Sequence, residues 1–186
     1  MAKMTRFEKY FVNRRGERFF EKLIDDLETS GTLKITGNSR ILELGGGNGA
    51  LSSLIYKRFQ PASYTLTDYD PDQVALAQES MKERFGEVPE SFTFQQADAA
   101  DLVYKNGSFD LVIAHLILHH LGGTDAIFSG LNEISRVLVP GGTFLYTEFS
   151  HKKEIRAKLT EMSYAITYKK GLHRENVVAV KQTAKN

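Results

Sequence analysis

Ile41-Leu42-Glu43-Leu44-Gly45-Gly46-Gly47-Asn48-Gly49-Ala50 is the stretch whose reading decides the fold. Residues 40–44 read as a strand that runs straight into glycines, and residues 50–59 read as a helix. Glycines at such a junction let the backbone turn tightly and approach a ligand at the helix N-terminus, where unpaired N–H groups point outward.

The chain continues this alternation. Residues 64–67 form a second strand, and Asp70 then caps a helix with Pro71 at its first position. Val74, Ala77, Met81 and Phe85 follow at helical spacing until Gly86 stops the run. Residues 92–96 alternate as a third strand, and residues 109–118 form a fourth, nearly continuous apolar one suited to burial on both faces. A helix over 126–138 stops at Val139-Pro140-Gly141-Gly142, and residues 143–148 are a fifth strand. Strands alternating with helices of this length mean an α/β sheet with right-handed crossovers.

Both ends depart from the plain pattern. Before the sheet, a helix over 16–30 carries Phe19, Phe20, Leu23, Ile24 and Leu27 on one face, preceded by a cluster of Phe7, Tyr10 and Phe11. After it, a helix over 152–162 leads to strands over 164–168 and 176–180, joined by a turn at Lys170-Gly171. That link is too short for a crossover helix, so the last two strands are antiparallel neighbours. We read the 186 residues as one domain: a helical cap over 1–30, a core over 38–150, and a helix with closing hairpin over 151–186.

Composition narrows the chemistry. The chain has no cysteine, which removes disulfides, thiolate metal sites and cysteine nucleophiles. Net charge is +1, so no global field draws the chain to nucleic acid. Residues 151–186 nevertheless carry nine Lys or Arg against three Glu, either a solvated basic face or a rim attracting an anionic substrate. The charged start lacks the apolar core of a secretory signal, and no apolar run approaches the ~20 residues of a membrane span. A cytoplasmic protein is expected.

Gly45-Gly46-Gly47-Asn48-Gly49-Ala50 satisfies the dinucleotide pattern G-x-G-x-x-A, but a lone match is weak. Glu43 discriminates. A carboxylate two residues before the loop would oppose a pyrophosphate, whereas it would attract the sulfonium and ammonium of S-adenosylmethionine. Asp68, about 20 residues past the loop, stands where a carboxylate takes both ribose hydroxyls of either cofactor. Asp98 follows the third strand at the carboxyl end of the sheet, placed to accept from an adenine amino group.

With these residues in place, the chain resembles the class I S-adenosylmethionine-dependent methyltransferases of the ubiquinone/menaquinone-biosynthesis-like group (methyltransferase types 11 and 25). Residues 41–49 are similar to that family's V-L-D-x-G-x-G-x-G, and Asp98-Ala99 to its D-A segment. Ser108-Phe109-Asp110-Leu111-Val112 resembles its S-F-D-x-V; Leu118-His119-His120-Leu121 and residues 136–142 match two further segments. Glu43, Gly46 and Asn48 replace commoner family residues without changing the site's size or polarity. The resemblance implies a Rossmann-like, doubly wound, seven-stranded sheet of order 3-2-1-4-5-7-6 with a C-terminal antiparallel hairpin. It also implies that Gly45, Gly46 and Gly47 line the methionine moiety with Glu43 near its ammonium. Asp68 holds the ribose, Tyr69 packs on the adenine, Asp98 and Ala99 read the adenine edge, and Ala114 and His115 touch the cofactor near its methyl.

Methyl transfer is an in-line displacement from an activated sulfonium, and a base is needed only when the nucleophile starts protonated. His115, His119 and Glu148, at the carboxyl ends of strands four and five, are the candidates to act as base or orient substrate; His120 reads as packing or capping. His115 and His119 share the i, i+4 spacing of a helical metal pair, but no H-E-x-x-H pattern or third ligand accompanies them, so no metal is expected. Ala114-His115-Leu116-Ile117 replaces the Pro-Pro-aromatic segment of nucleic-acid amino-methylating enzymes, leaving small molecules as acceptors. Phe7, Tyr10, Phe11, Asn13, Arg14 and Arg15 either form a lid or pack the first helix on the sheet, with Tyr10, Phe11, Arg14, His119 and Glu148 as pocket residues. The alternatives are a nicotinamide-dependent oxidoreductase and a non-catalytic cofactor-binding module.

Overall fold

A computed structural model describes residues 18–25, 28–29, 31, 33–170 and 174–183. The lid residues at positions 7–15, Leu27 and the turn glycine Gly171 lie outside them.

Seven strands form one sheet: β1 (Arg40–Leu44), β2 (Ser63–Asp68), β3 (Phe92–Gln96), β4 (Phe109–His115), β5 (Leu138–Glu148), β6 (Tyr164–Lys170) and β7 (Glu175–Lys181). Their order is β3-β2-β1-β4-β5-β7-β6, as the resemblance implied. The first five run parallel, and β7 inserts antiparallel between β5 and β6.

Helices α1 (Ala50–Phe59), α2 (Pro71–Phe85), α3 (Thr124–Val137) and α4 (Lys152–Glu161) cover the faces. Strand alternation divides the core between them. Leu42, Leu44, Val112, Phe144 and Tyr146 join Leu131 and Ile134 of α3 and Ile155 and Leu159 of α4. Ile41, Leu111, Ile113 and Leu145 join Ile55 of α1, Ala77 and Met81 of α2, and Ile24 from the helical residues 18–25. Asp70 caps α2 as expected: its side chain accepts the Asp72 N–H, with Pro71 next.

Two motif residues prove architectural. Asp110 accepts from the backbone and side chain of Arg40, clamping the start of β4 to β1, and the guanidinium holds its carboxyl below the usual range. Arg136 binds Glu133 and donates to the carbonyls of Leu102 and Tyr104, fixing the loop before β4 to α3.

Two strand boundaries differ from the sequence reading. Strand four does not reach residue 118: β4 ends at His115, Leu116 takes a left-handed φ of 56°, and Leu118–Leu121 form a 3₁₀ turn. The Leu118 N–H is taken by the buried Glu148 side chain (2.9 Å), a long-range contact that apolar periodicity does not reveal. Strand five begins earlier than residue 143. Leu138 already pairs with Phe109, and the register then jumps to Leu111↔Thr143, so Val139-Pro140-Gly141-Gly142 is an irregularity inside β5. Such an irregularity accommodates a proline that an even ladder would not.

Candidate functional site

A cavity of about 900 Å³ opens at the carboxyl ends of β1, β2 and β4. In a parallel sheet this is where strand order reverses and loops diverge, leaving room for a ligand.

The glycine loop forms one wall. Gly45 has φ +66°, and a Cβ there would come within 2.2 Å of the Ile117 side chain, so glycine is required twice over. Gly46 sits equally tightly against Leu66. Of the three glycines only Gly45 lines the cavity. The Gly47 N–H instead donates to Asp68 Oδ2 at 3.1 Å, and Asp68 Oδ1 accepts the Asp70 N–H. Asp68 thereby ties the loop to the end of β2 while itself lining the cavity.

Asp98, Ala99 and Tyr69 also line the cavity. Asp98 accepts the Ala100 N–H at 2.8 Å, which shapes the turn after β3. Tyr69 is 72% exposed, an aromatic face open to a flat partner. Asp68, Tyr69, Asp98, Ala99 and Gly45, separated by up to 54 positions, thus converge on one space.

Glu43, Ala114, His119 and Glu148 do not line it. Ala114 is fully buried among the α3 and α4 contacts. Glu43 points to the other face, where the Tyr64 hydroxyl (2.8 Å) and the Ser52 hydroxyl both donate to it. Burial pushes its carboxyl up to about 7; those two hydrogen bonds oppose the rise and the charge on Asp68 adds to it. A charge set by its burial, and not an exposed carboxylate beside the loop, is what Glu43 presents.

His115 ends β4 and lines the cavity. Phe20 (4.8 Å) and Phe19 (5.7 Å) cover its ring, and its buried Nδ1 has no hydrogen-bond partner among the described residues. Burial, aided by the nearby Arg174 cation, lowers its pKa to about 4, so it is neutral at physiological pH.

His119 and Glu148 meet as a pair. Nδ1 of His119 lies 2.9 and 3.2 Å from the two carboxylate oxygens, and Glu148 is completely buried. With Nδ1–H donating to that carboxylate, Nε2 is the ring nitrogen left for another partner. The ring also lies against His120 (4.0 Å) and Phe149 (4.4 Å), both tilted to it. His120, which the sequence suggested only for packing or capping, lines the cavity. Its sequence signal is its place in the Leu118-His119-His120-Leu121 segment. The pair lies on a 3₁₀ turn and a strand end, so the i, i+4 spacing of His115 and His119 does not place them on one helix face. Among the described residues no helix is long and apolar enough to cross a bilayer.

A family model described as a methyltransferase domain matches residues 35–184. A fatty-acid O-methyltransferase of Mycolicibacterium smegmatis is 34% identical over 116 residues, which is 62% of this chain and 39% of that protein. A malonyl-[acyl-carrier protein] O-methyltransferase of Chlorobium phaeovibrioides is 34% identical over 113 residues, 60% of this chain and 40% of that one. The chain therefore spans about two-fifths of the length of these curated relatives. A SAM-dependent methyltransferase from Aquifex aeolicus shares the fold with a TM-score of 0.69 at 15% identity, covering 87% of this chain and 88% of that one.

Proposed function

The chain belongs to the methyltransferase-domain family, and from this premise we propose that it transfers a methyl group from S-adenosylmethionine to a small-molecule acceptor. The observation that carries the reading is the convergence of Gly45, Asp68, Tyr69, Asp98 and Ala99 on one cavity. In this reading Asp68 takes the ribose, Tyr69 stacks on the adenine, and Asp98 with Ala99 reads its edge. Gly45 lies along the methionine, with Gly46 and Gly47 fixing the loop. Glu43 and Ala114 act from behind the cavity wall. S-adenosylmethionine supplies an activated methyl on a sulfonium, so the protein has to align the nucleophile and exclude water.

For an acceptor that arrives protonated, His119 takes the proton at Nε2 and Glu148 fixes the ring and stabilises the imidazolium that forms. His115, kept neutral under Phe19 and Phe20, walls the transfer site. The names of the two curated relatives, both O-methyltransferases, support a small acyl or oxygen acceptor.

The test is calorimetric titration with S-adenosylhomocysteine and with NADH, followed by methyl release from labelled S-adenosylmethionine onto a panel of small acids, alcohols and phenols. Binding of the homocysteine product and turnover on the panel uphold the reading. NADH binding without a response to the homocysteine restores the oxidoreductase alternative, and product binding without turnover on any acceptor restores the non-catalytic one.

A further inference from the structure

Arg174 lies over Phe19 beside His115 of this site and, among the described residues, has no acidic partner. It immediately precedes β7, one position beyond the register pair Glu148↔Glu175 that places it beside the end of β5. Glu175 is itself buried and taken by Arg156 through both carboxylate oxygens. Glu148 is occupied by His119 and the Leu118 N–H. Both carboxylates nearest Arg174 in the sheet are therefore engaged elsewhere. Among the described residues none pairs with Arg174, whose guanidinium lies 4.2 Å over the Phe19 ring.

That contact places a cation on the aromatic cover of His115. A guanidinium stacked on a ring keeps its N–H edge free for planar, bidentate recognition of a carboxylate or similar anion. Next to it are apolar surface from Phe19 and Phe20 and the His115 Nδ1, which has no partner among the described residues. The depressed pKa of His115 reports the same proximity, since Arg174 is one of its two causes. An exposed charge by itself says little. Here a cation with no acidic partner among the described residues, a ring that positions it and a buried nitrogen with no partner among them come together at His115, which lines the cavity.

We propose that Arg174 is a specificity-determining residue that receives an anionic group on the acceptor, whose apolar body lies against Phe19 and Phe20. The acceptor class is thus an apolar compound carrying a carboxylate or comparable anion in addition to the nucleophile delivered to His119. The proposal rests on the methyl-transfer reading of the cavity, and its test separates the two.

The protein is first titrated with S-adenosylhomocysteine; absence of binding overturns the cofactor reading whatever follows. Octanoate and 1-octanol, identical but for the anionic head, are then titrated into the loaded protein by calorimetry, and into Arg174→Gln and Arg174→Lys. We expect octanoate to bind more tightly than octanol. Arg174→Gln should weaken octanoate about tenfold and octanol less than twofold, with partial recovery in Arg174→Lys. Equal binding of acid and alcohol, an equal loss for both in Arg174→Gln, or no binding of octanoate overturns the proposal. Unchanged melting temperatures of the variants keep a folding defect from mimicking the result.

Discussion

Glu148 grips His119 through both carboxylate oxygens, at 2.9 and 3.2 Å from one ring nitrogen, while its own burial is complete. A buried acid with one imidazole partner fixes which nitrogen of that ring carries the proton. The pair joins the turn after β4, whose Ile117, His120 and Leu121 line the cavity, to the end of β5.

His119→Ala should therefore lower kcat for a protonated acceptor by about 10²-fold or more, the range for removing a general base, without altering affinity for S-adenosylhomocysteine. Glu148→Gln should give a smaller loss, because a neutral amide stabilises the imidazolium less than the carboxylate does. Steady-state rates with labelled S-adenosylmethionine check both. Unaltered rates in His119→Ala would remove His119 from the chemistry.

Asp68 makes two backbone hydrogen bonds and lines the cavity. Asp68→Ala should weaken S-adenosylhomocysteine binding by about 1–3 kcal/mol, the range for leaving partners of a charged group unpaired. Asp68→Asn keeps the shape and one acceptor, so it should fall between. Calorimetry decides, and an unchanged affinity would place the ribose elsewhere.

Glu43 has a carboxyl raised to about 7 in the fold, against an ordinary value of 4.5. The folded state then holds a proton that the unfolded chain has released, so its contribution is complete below pH 4.5 and is lost as pH rises through 7. The loss amounts to about 3 kcal/mol. Glu43→Gln removes this dependence: relative to the unaltered protein it should be more stable at pH 8 than at pH 5, in urea unfolding at the two values. A constant difference would show that Glu43 titrates as an ordinary carboxylate.

His115 behaves in the opposite sense. Its folded pKa of about 4 lies below the ordinary 6.5, mainly through burial and secondarily through Arg174. Stability is then present above pH 6.5 and lost as pH falls towards 4, because only the unfolded ring readily takes the proton. The imidazole resonance of His115 in two-dimensional NMR should stay that of a neutral ring down to about pH 5. A midpoint near 6.5 would contradict the cover by Phe19 and Phe20.

Gly45→Ala places a Cβ within 2.2 Å of Ile117 at a positive φ. We expect a loss of about 1–3 kcal/mol in stability together with weakened product binding, since Ile117 and Gly45 share the cavity wall. Thermal unfolding and titration measure the two effects, and a fully stable variant that binds normally would show that the loop relaxes freely.

What the amino-acid order determined by itself is local. The strand, glycine loop and helix from Arg40 to Phe59, the capped α2 and the short link that forces an antiparallel end are set by periodicity, turn chemistry and loop length, all read within a few residues. Asp68 and Asp98 were legible for the same reason: each follows directly on a strand whose carboxyl end must face the cavity. Tertiary structure decided what depends on packing between distant segments. Alternation alone does not tell which face of β1 receives Glu43, and only pairing with Ser52 and Tyr64 turned it from the cavity to a buried site. The turn after β4 is held by Glu148, 30 positions beyond Leu118, capturing the Leu118 amide. Arg174 was one of nine basic residues in a charged tail until the sheet set it on Phe19 beside His115. Hydrogen bonds and ion pairs at this sequence separation depend on Cartesian distance, which is fixed only once the whole sheet has formed.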